Sequence, residues 1–176
     1  YNECRNIKPL SEELVQILKS DELKNYRPYE IIFVDDGSSD GSQETLREAA
    51  ERYPGIKTIL LRRNFGQSAA LAAGIDSAEG EIIVTMDSDM QNDPRDVPKL
   101  LEKLEQGYDC VSGWRKDRQD SILKTIPSNI QTYMAWYAGP KIHDFGCTLK
   151  AYQSEAIKDI DLRGEGHRYI PSHLHR

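Results

Sequence analysis

The sequence predicts an α/β fold with a mostly parallel central sheet and helices on both faces. Apolar runs typical of buried strands alternate along the chain with amphipathic stretches of helical period. Such alternation indicates strand–helix–strand units, which build parallel sheets covered by helices. A length of 176 residues suits one domain with a sizeable core, so we expect residues 1–176 to fold as one domain.

Apolar runs predict four strands, at residues 29–34, 58–61, 82–86 and, more weakly, 108–112. Between them lie four helix patterns. The first helix has Leu10, Leu14, Ile17 and Leu18 on one face, and the second has Leu46, Ala49, Ala50 and Tyr53 on one face. The third helix covers residues 69–75. The fourth has Leu100, Leu101 and Leu104 on one face and ends before Gly107. Asp40 with Gln43 predicts a capping box for the second helix. Pro94 and Pro98 both fit the first turn of the fourth.

Composition excludes several functional classes. A net charge of −6 disfavours sequence-independent nucleic-acid binding, which needs a cationic surface. Cys4, Cys110 and Cys147 are widely spaced, which predicts reduced thiols in a cytosolic protein and neither a disulfide framework nor a zinc site. No apolar run is long enough to span a bilayer. The sequence contains no P-loop, dinucleotide-binding or nucleophile-elbow motif.

The predicted strand that ends at Val34 leads directly into an acidic turn. In open α/β sheets, ligands bind beyond the carboxyl ends of the strands. Asp35 and Asp36 stand at that place, before a Gly- and Ser-rich turn. Their carboxylates are suited to accept hydrogen bonds from a nucleobase N–H or a ribose hydroxyl. The alternative is a solvated turn with a helix cap, which is the interpretation we adopt for Asp40.

A second acidic turn follows the predicted strand that ends at Met86. If this segment is extended, Asp87, Asp89 and Gln91 point to the same side and offer their oxygens to one point. Mg²⁺ and Mn²⁺ prefer oxygen ligands, and Mg²⁺ commonly binds through one or two carboxylates plus substrate phosphates. The turn therefore predicts a divalent metal site that holds a diphosphate.

The strand that ends at Leu61 leads into a third turn. Asn64 and Gln67 are candidates to line a donor pocket at this turn, whereas Arg62 and Phe65 are interpreted as loop and cap residues.

Tyr1-Asn2-Glu3 and the segments 34–40 and 87–91 form one recognisable set. Together they resemble the strand-end loops of the inverting GT-A glycosyltransferases of family two. Further matches lie in the segments 63–67, 113–115, 118–121, 143–152 and 167–171. They narrow the resemblance to the polyisoprenyl-phosphate glycosyltransferases, a group that includes dolichyl-phosphate mannose synthases and bacterial undecaprenyl-phosphate glucosyltransferases and aminoarabinose transferases.

The resemblance implies a GT-A, Rossmann-like catalytic domain and assigns roles to individual residues. The nucleotide-sugar site would comprise Tyr1, Asn2, Glu3, Asp35, Asp36, Asn64, Gln67 and Asp87, and the metal site Asp87, Asp89 and Gln91. The catalytic set would be Asp89 with Arg115, Lys124 and Ser128, the last three binding the acceptor phosphate. Lys124 stands where relatives carry an arginine, so it keeps the charge and loses the bidentate fork.

The implied reaction moves a hexose, with inversion, from a UDP-glucose or GDP-mannose type of donor to a polyisoprenyl phosphate, with Mg²⁺ or Mn²⁺ as cofactor. We expect a membrane surface as partner and a place at the cytoplasmic face of a membrane, and the existence of a homo-oligomer is left open. One alternative is transfer to a saccharide hydroxyl, for which Asp144 is the candidate catalytic carboxylate. Another is a non-catalytic nucleotide-sugar-binding module.

Further expectations concern the C-terminal part of the sequence and the segments that flank the domain. His143 is interpreted as structural, His167 and Arg168 as possible diphosphate contacts, and residues 133–137 as core or as a membrane-surface helix. A strand preceding Tyr1 and membrane segments following the domain are expected from the resemblance.

Overall fold

The predicted strands are present, with one more that the sequence did not predict. A computed structural model describes residues 1–114 and 146–160. Its strands are β1 (Ile31–Asp35), β2 (Ile56–Leu60), β3 (Ile82–Thr85), β4 (Cys110–Ser112) and β5 (Lys150–Gln153). The first four overlap the predicted runs. β5 lies in a stretch for which no strand was predicted.

All four predicted helices are confirmed, and within the described residues a further short helix follows β5. They are α1 (Cys4–Leu18), α2 (Ser42–Arg52), α3 (Gln67–Ser77), α4 (Val97–Leu104) and α5 (Ser154–Lys158), with 3-10 turns at Asp21–Tyr26 and Pro94–Asp96. Both candidate prolines begin an element, because Pro94 opens the second 3-10 turn and Pro98 lies in the first turn of α4. Among the described helices, none is both long and apolar enough to cross a membrane.

The described strands form two hydrogen-bonded sheets. β1 pairs in parallel with β2, and Asp35 stands opposite Leu60 at the end of the register. β5 lies between β3 and β4 and is antiparallel to both, so β3 and β4 run in the same direction. The parallel direction of the predicted strands is confirmed within each sheet, and β5 adds an antiparallel member.

Helices cover both faces of these sheets, as predicted. Ile31 and Phe33 of β1 pack with buried residues of α1 and α2, whereas Val34 contacts α3 at Gly74 on the opposite face. Alternation along β3 repeats the pattern in the second sheet. Ile82 and Val84 join the cluster that contains the leucines of α4, and Ile83 joins the cluster formed with α3 and α5. Alternate side chains along each strand therefore pack against helices on opposite faces of the sheet.

The predicted capping box at α2 is wrong. The N-cap is Gly41, and Asp40, one residue earlier, accepts hydrogen bonds at its Oδ1 from the backbone N–H and the hydroxyl of Ser42. Gln43, the predicted reciprocal partner, donates instead to Asp35 Oδ2 at 2.9 Å. The left-handed Gly41 (φ 93°) inserts a residue before the helix and turns Gln43 toward the end of β1.

Candidate active site

The loops that follow β1, β2 and β3 meet at one edge of the molecule. The parallel pairing of β1 with β2 brings their carboxyl ends to the same side. The loop after β3 joins them through one side-chain contact, in which Gln67 Nε2 at the start of α3 donates to Asp87 Oδ1 at 2.9 Å. The three loops that the sequence singled out are therefore linked by contacts between their own residues.

Asp36 links the loop after β1 to the loop after β2 through hydrogen bonds. Its Oδ1 accepts a hydrogen bond from the backbone N–H of Phe65 at 2.7 Å, and its Oδ2 accepts one from Gly66 at 2.9 Å. The side chain is buried, with 5% of Asp36 exposed. Hydrogen bonds to an ionised acceptor are among the stronger ones in proteins. Both oxygens thus hold the turn that leads into α3 and places Gln67.

Gly37 allows the same two loops to come into direct backbone contact. A Cβ at this position would stand 2.3 Å from the carbonyl carbon of Arg63 and 2.6 Å from the backbone nitrogen of Asn64. The residue also has a φ of 71°, which L-residues with a side chain rarely adopt. The close approach therefore requires glycine.

Asp35 is held ionised at the end of β1. Its Oδ2 accepts hydrogen bonds from the Ser38 N–H and from the Gln43 amide, both at 2.9 Å. Burial alone would raise the pKa of the carboxyl, but these hydrogen bonds outweigh burial and hold the pKa of Asp35 below its ordinary value. Only 4% of the residue is exposed.

The first three residues lie against the β1–α2 loop. The Asn2 backbone N–H donates to Ser38 Oγ at 2.8 Å, and Asn2 Oδ1 accepts from the Ser39 N–H at 3.0 Å. The Glu3 N–H donates to Ser42 Oγ at 3.1 Å. Tyr1 is 57% exposed at the rim of this loop. The structure therefore brings the candidates Tyr1, Asn2 and Glu3 to the same loop as Asp35.

The prediction that residues 87–91 are extended is wrong. β3 ends at Thr85, the chain bends through residues 88–90, and Met90 has a φ of 62°, so the segment is not extended. The argument that residues two apart share a side does not apply to Asp87, Asp89 and Gln91. Instead, Asp89 Oδ1 accepts a hydrogen bond from the Gln91 backbone N–H at 3.0 Å, which closes a tight turn.

The carboxylates of Asp87 and Asp89 are of the donor type that a divalent ion takes, and substrate phosphates would complete such a site. Within residues 1–114 and 146–160, no group of three or more His, Cys, Asp or Glu side chains is arranged to hold a metal by itself. Mg²⁺ typically binds with one or two carboxylates and phosphate oxygens, so two half-buried acids suffice for that type of site.

Thr148 and Asn92, to which the sequence analysis assigned no role, hold this turn through hydrogen bonds. Thr148 Oγ1 accepts hydrogen bonds from the Asp87 N–H at 3.3 Å and from Asn92 Nδ2 at 3.1 Å. Asn92 is buried, and Cys147 Sγ contacts its Oδ1 at 3.5 Å. The sequence does not show that Asn92 is buried, and its partner Thr148 lies 56 residues away along the chain, so no local pattern indicated either residue.

Some predicted residues are exposed or lie outside the described part of the chain. Asn64 is exposed on the β2–α3 loop. The acceptor candidates Arg115, Lys124 and Ser128 lie outside the described residues, as do His143, Asp144, residues 133–137, His167 and Arg168.

Comparison with known families decides the affiliation. The profile described as "Glycosyl transferase family 2" matches residues 1–161. The chain belongs to glycosyl transferase family 2. The family predicted from the three acidic and polar turns is thereby confirmed.

Two curated relatives of this family 2 chain are named for polyprenyl phosphates. It is 42% identical over 176 residues to the "Dodecaprenyl-phosphate galacturonate synthase" of Rhizobium johnstonii, covering 98% of this chain and 51% of the relative. It is 44% identical over 148 residues to the "Undecaprenyl-phosphate 4-deoxy-4-formamido-L-arabinose transferase" of Edwardsiella ictaluri, covering 82% of this chain and 45% of the relative. The chain therefore spans about half the length of these relatives, and its predicted similarity to polyisoprenyl-phosphate glycosyltransferases is confirmed.

A solved structure supports the fold. The "Mannosyltransferase PcManGT from Pyrobaculum calidifontis in complex with GDP-Man and Mn2+" superposes with a TM-score of 0.62 at 25% identity, covering 90% of this chain and 43% of that chain. The predicted GT-A fold class is confirmed.

Proposed function

We propose that this domain transfers a sugar, with inversion and with the help of a divalent metal, from a nucleoside-diphosphate sugar to a polyprenyl phosphate. The observation that carries the proposal is the Gln67–Asp87 contact of 2.9 Å, which joins the β3 turn to the loops held by Asp36. Because of that contact, the carboxylates that follow β1 and β3 lie on loops that are linked to one another. A nucleoside-diphosphate donor matches this arrangement, with its base at the loop after β1 and its diphosphate at the loop after β3.

The loop after β1 is suited to the nucleoside. Asp35 remains ionised although it is buried, and a carboxylate in that state is a strong acceptor for a base N–H or ribose hydroxyl. Tyr1 lies exposed at the rim of the same loop, where an aromatic ring can contact a base. Glu3, Asn64 and Gln67 complete the proposed donor site.

The turn after β3 is suited to the diphosphate. Asp87 and Asp89 would hold Mg²⁺ or Mn²⁺, which when bound neutralises the charge that develops on the leaving diphosphate. The chain's own contribution is the placement of the two carboxylates, with Gln67 orienting Asp87. Gln91 remains a candidate third ligand.

A polyprenyl phosphate is the proposed acceptor because both named relatives carry one in their names. In the transfer, an acceptor phosphate oxygen forms a bond to the anomeric carbon as the bond to the diphosphate oxygen breaks. The acceptor is already anionic near neutral pH, so the reaction needs orientation more than a general base. Arg115, Lys124 and Ser128 are proposed to orient it, and the membrane surface at the cytoplasmic face is where donor and lipid would meet.

The proposal is tested by supplying radiolabelled UDP- and GDP-sugars, including UDP-glucose, GDP-mannose and UDP-galacturonate, with Mn²⁺ or Mg²⁺. Each donor is offered with a short polyprenyl phosphate or a neutral saccharide. We expect label in the lipid fraction for at least one donor, and loss of that label with EDTA. Label in the saccharide alone would replace the proposed acceptor, and intact donor in every arm would favour a binding module.

A variant pair sharpens the acceptor assignment. Arg115→Ala should reduce transfer to the lipid by about 10-fold or more, because the phosphate loses a charge-assisted contact. Arg47→Ala is the matched control, since Arg47 is an exposed residue of α2 whose partner is Glu44. Equal activity of the two variants would remove Arg115 from the site.

A further inference from the structure

We propose that Thr148 is a positioning residue, which holds the acidic turn after β3 in the conformation that binds metal. The inference rests on the proposed function for the metal, but its structural part stands on contacts of the turn itself. A single oxygen, Thr148 Oγ1, accepts from the Asp87 N–H at 3.3 Å and from Asn92 Nδ2 at 3.1 Å. The segment that carries Asp87 and Asp89 is thus closed at both ends on one hydroxyl.

The turn needs such an anchor because its own conformation is irregular. Residues 88–90 bend, Met90 is left-handed with a φ of 62°, and the turn's internal hydrogen bond runs from the Gln91 N–H to Asp89 Oδ1 at 3.0 Å. A left-handed non-glycine residue costs free energy and persists where surrounding contacts hold it. Contacts at Asp87 and Asn92 lie on either side of this residue.

Thr148 is itself fixed to the sheet. Its carbonyl oxygen accepts a hydrogen bond from Thr85 Oγ1, the last residue of β3, at 2.8 Å. It stands two residues before Lys150, which pairs with Thr85 in the β3–β5 ladder. The register of this antiparallel pair therefore sets the position of the hydroxyl relative to the turn.

Asn92 is the second residue through which Thr148 holds the turn. The residue is 7% exposed, and Cys147 Sγ lies 3.5 Å from its Oδ1. Its amide therefore contacts two consecutive residues, Cys147 and Thr148, in the segment just before β5. These contacts hold the backbone on either side of Asp89, and neither Thr148 nor Asn92 is a metal ligand in the proposal.

The experiment compares Thr148→Val, which keeps the shape and removes the hydroxyl, with Thr148→Ser, which restores it. Thr45→Val is the control, because the hydroxyl of Thr45 in α2 also contacts two atoms, the Gly41 carbonyl oxygen and Cys4 Sγ, both at 3.2 Å. Mn²⁺ binding is followed by the EPR signal of free Mn²⁺ in the presence of saturating UDP or GDP. Exchange of the backbone amides of residues 86–93 is followed by mass spectrometry on metal-free protein.

We expect Thr148→Val to raise the Mn²⁺ concentration for half-saturation by about 10- to 100-fold, the effect typical of groups that orient metal ligands. Thr148→Ser should stay within about 3-fold of the wild type, and Thr45→Val should match the wild type. Amides 86–93 should exchange faster in the Val variant alone. Asn92→Ala, tested in parallel, should show the same two changes if Thr148→Val does not fold.

Unchanged Mn²⁺ affinity and unchanged exchange in both Thr148→Val and Asn92→Ala would overturn the anchor. Equal losses in the Ser and Val variants would also overturn it, because the hydroxyl would then not matter. A wild type that binds no Mn²⁺ would overturn the metal assignment, whereas faster exchange in the Val variant would still establish the contact with the turn.

Discussion

Two acidic turns of this chain look alike in sequence and differ in the structure. Asp35 and Asp36 follow β1, and Asp87 and Asp89 follow β3. The first pair is buried and accepts four hydrogen bonds from Ser38, Gln43, Phe65 and Gly66. The second pair is half-buried, and Asp89 accepts from its own turn at Gln91.

The difference separates the carboxylates that build the site from those that remain to bind in it. Asp36 uses both oxygens to hold the β2–α3 loop, so its main role is structural support of the donor site. Asp89 has one oxygen in its turn, and the proposed ligand would take the other. Substitutions at Asp36 should therefore act mainly on stability, and substitutions at Asp87 and Asp89 mainly on binding, while Asp35 takes part in both.

The largest stability effect is expected at Asp36. Asp36→Ala removes two charge-assisted hydrogen bonds, so the free energy of unfolding should fall by about 3 kcal/mol. Urea denaturation measures this change against Glu48→Ala, an exposed acid of α2. A loss no larger than that of the control would break the distinction between the two turns.

Gly37→Ala should be the next most damaging change. A Cβ 2.3 Å from the Arg63 carbonyl carbon forces the two loops apart, and the positive φ adds strain. We expect a loss of about 1–3 kcal/mol in unfolding free energy. The matched control is Gly107→Ala, which also replaces a glycine of positive φ but meets no atom within 4 Å. Equal losses in both variants would show that the close approach does not matter.

The contribution of Asp35 should depend on pH. Because its folded pKa is lowered, the carboxylate stabilises the fold fully above its ordinary pKa of about 3.9, and this stabilisation is lost as the pH falls through the folded value. Asp35→Asn should therefore be less stable than the wild type by about 1–2 kcal/mol at pH 7. Denaturation at a series of pH values should show the difference shrinking below pH of about 4. A constant difference would contradict the assignment.

The smallest stability effect is expected at Asp89. Asp89→Ala should change the unfolding free energy by no more than about 0.5 kcal/mol, because the side chain is half-buried and its hydrogen bond to the Gln91 N–H stays within the turn. The same denaturation series measures it. A loss comparable to that of Asp36→Ala would mean that both turns are structural.

The sequence predicted the fold class because the four apolar runs and their helices have clear local periods. It did not predict β5, whose four residues include Lys150, a buried lysine that donates to the carbonyl of Cys147. Pairing of β5 with β3 joins residues about 70 positions apart, for example Ile82 with Gln153, and no local pattern shows this pairing.

At the site, the sequence indicated which turns matter but not how their side chains are used. Adjacent aspartates are equally compatible with ligand binding and with capping of a neighbouring loop, and the choice depends on where Phe65 and Gly66 lie. The extended geometry assumed for Asp87–Gln91 failed because Met90 is left-handed, which composition does not reveal. Asn92 and Thr148 were missed because their contact is long-range.

The central claim is that Asp87 and Asp89 hold a divalent ion that holds the donor diphosphate. Calorimetric titration of UDP and GDP, each with Mn²⁺ or with EDTA, into the wild type, Asp89→Ala and Glu48→Ala tests it most directly. We predict that the wild type and Glu48→Ala bind one nucleotide at least about tenfold more tightly with Mn²⁺, and that Asp89→Ala loses this gain while it remains folded. Equal affinity of Asp89→Ala and the wild type in Mn²⁺ would contradict the account.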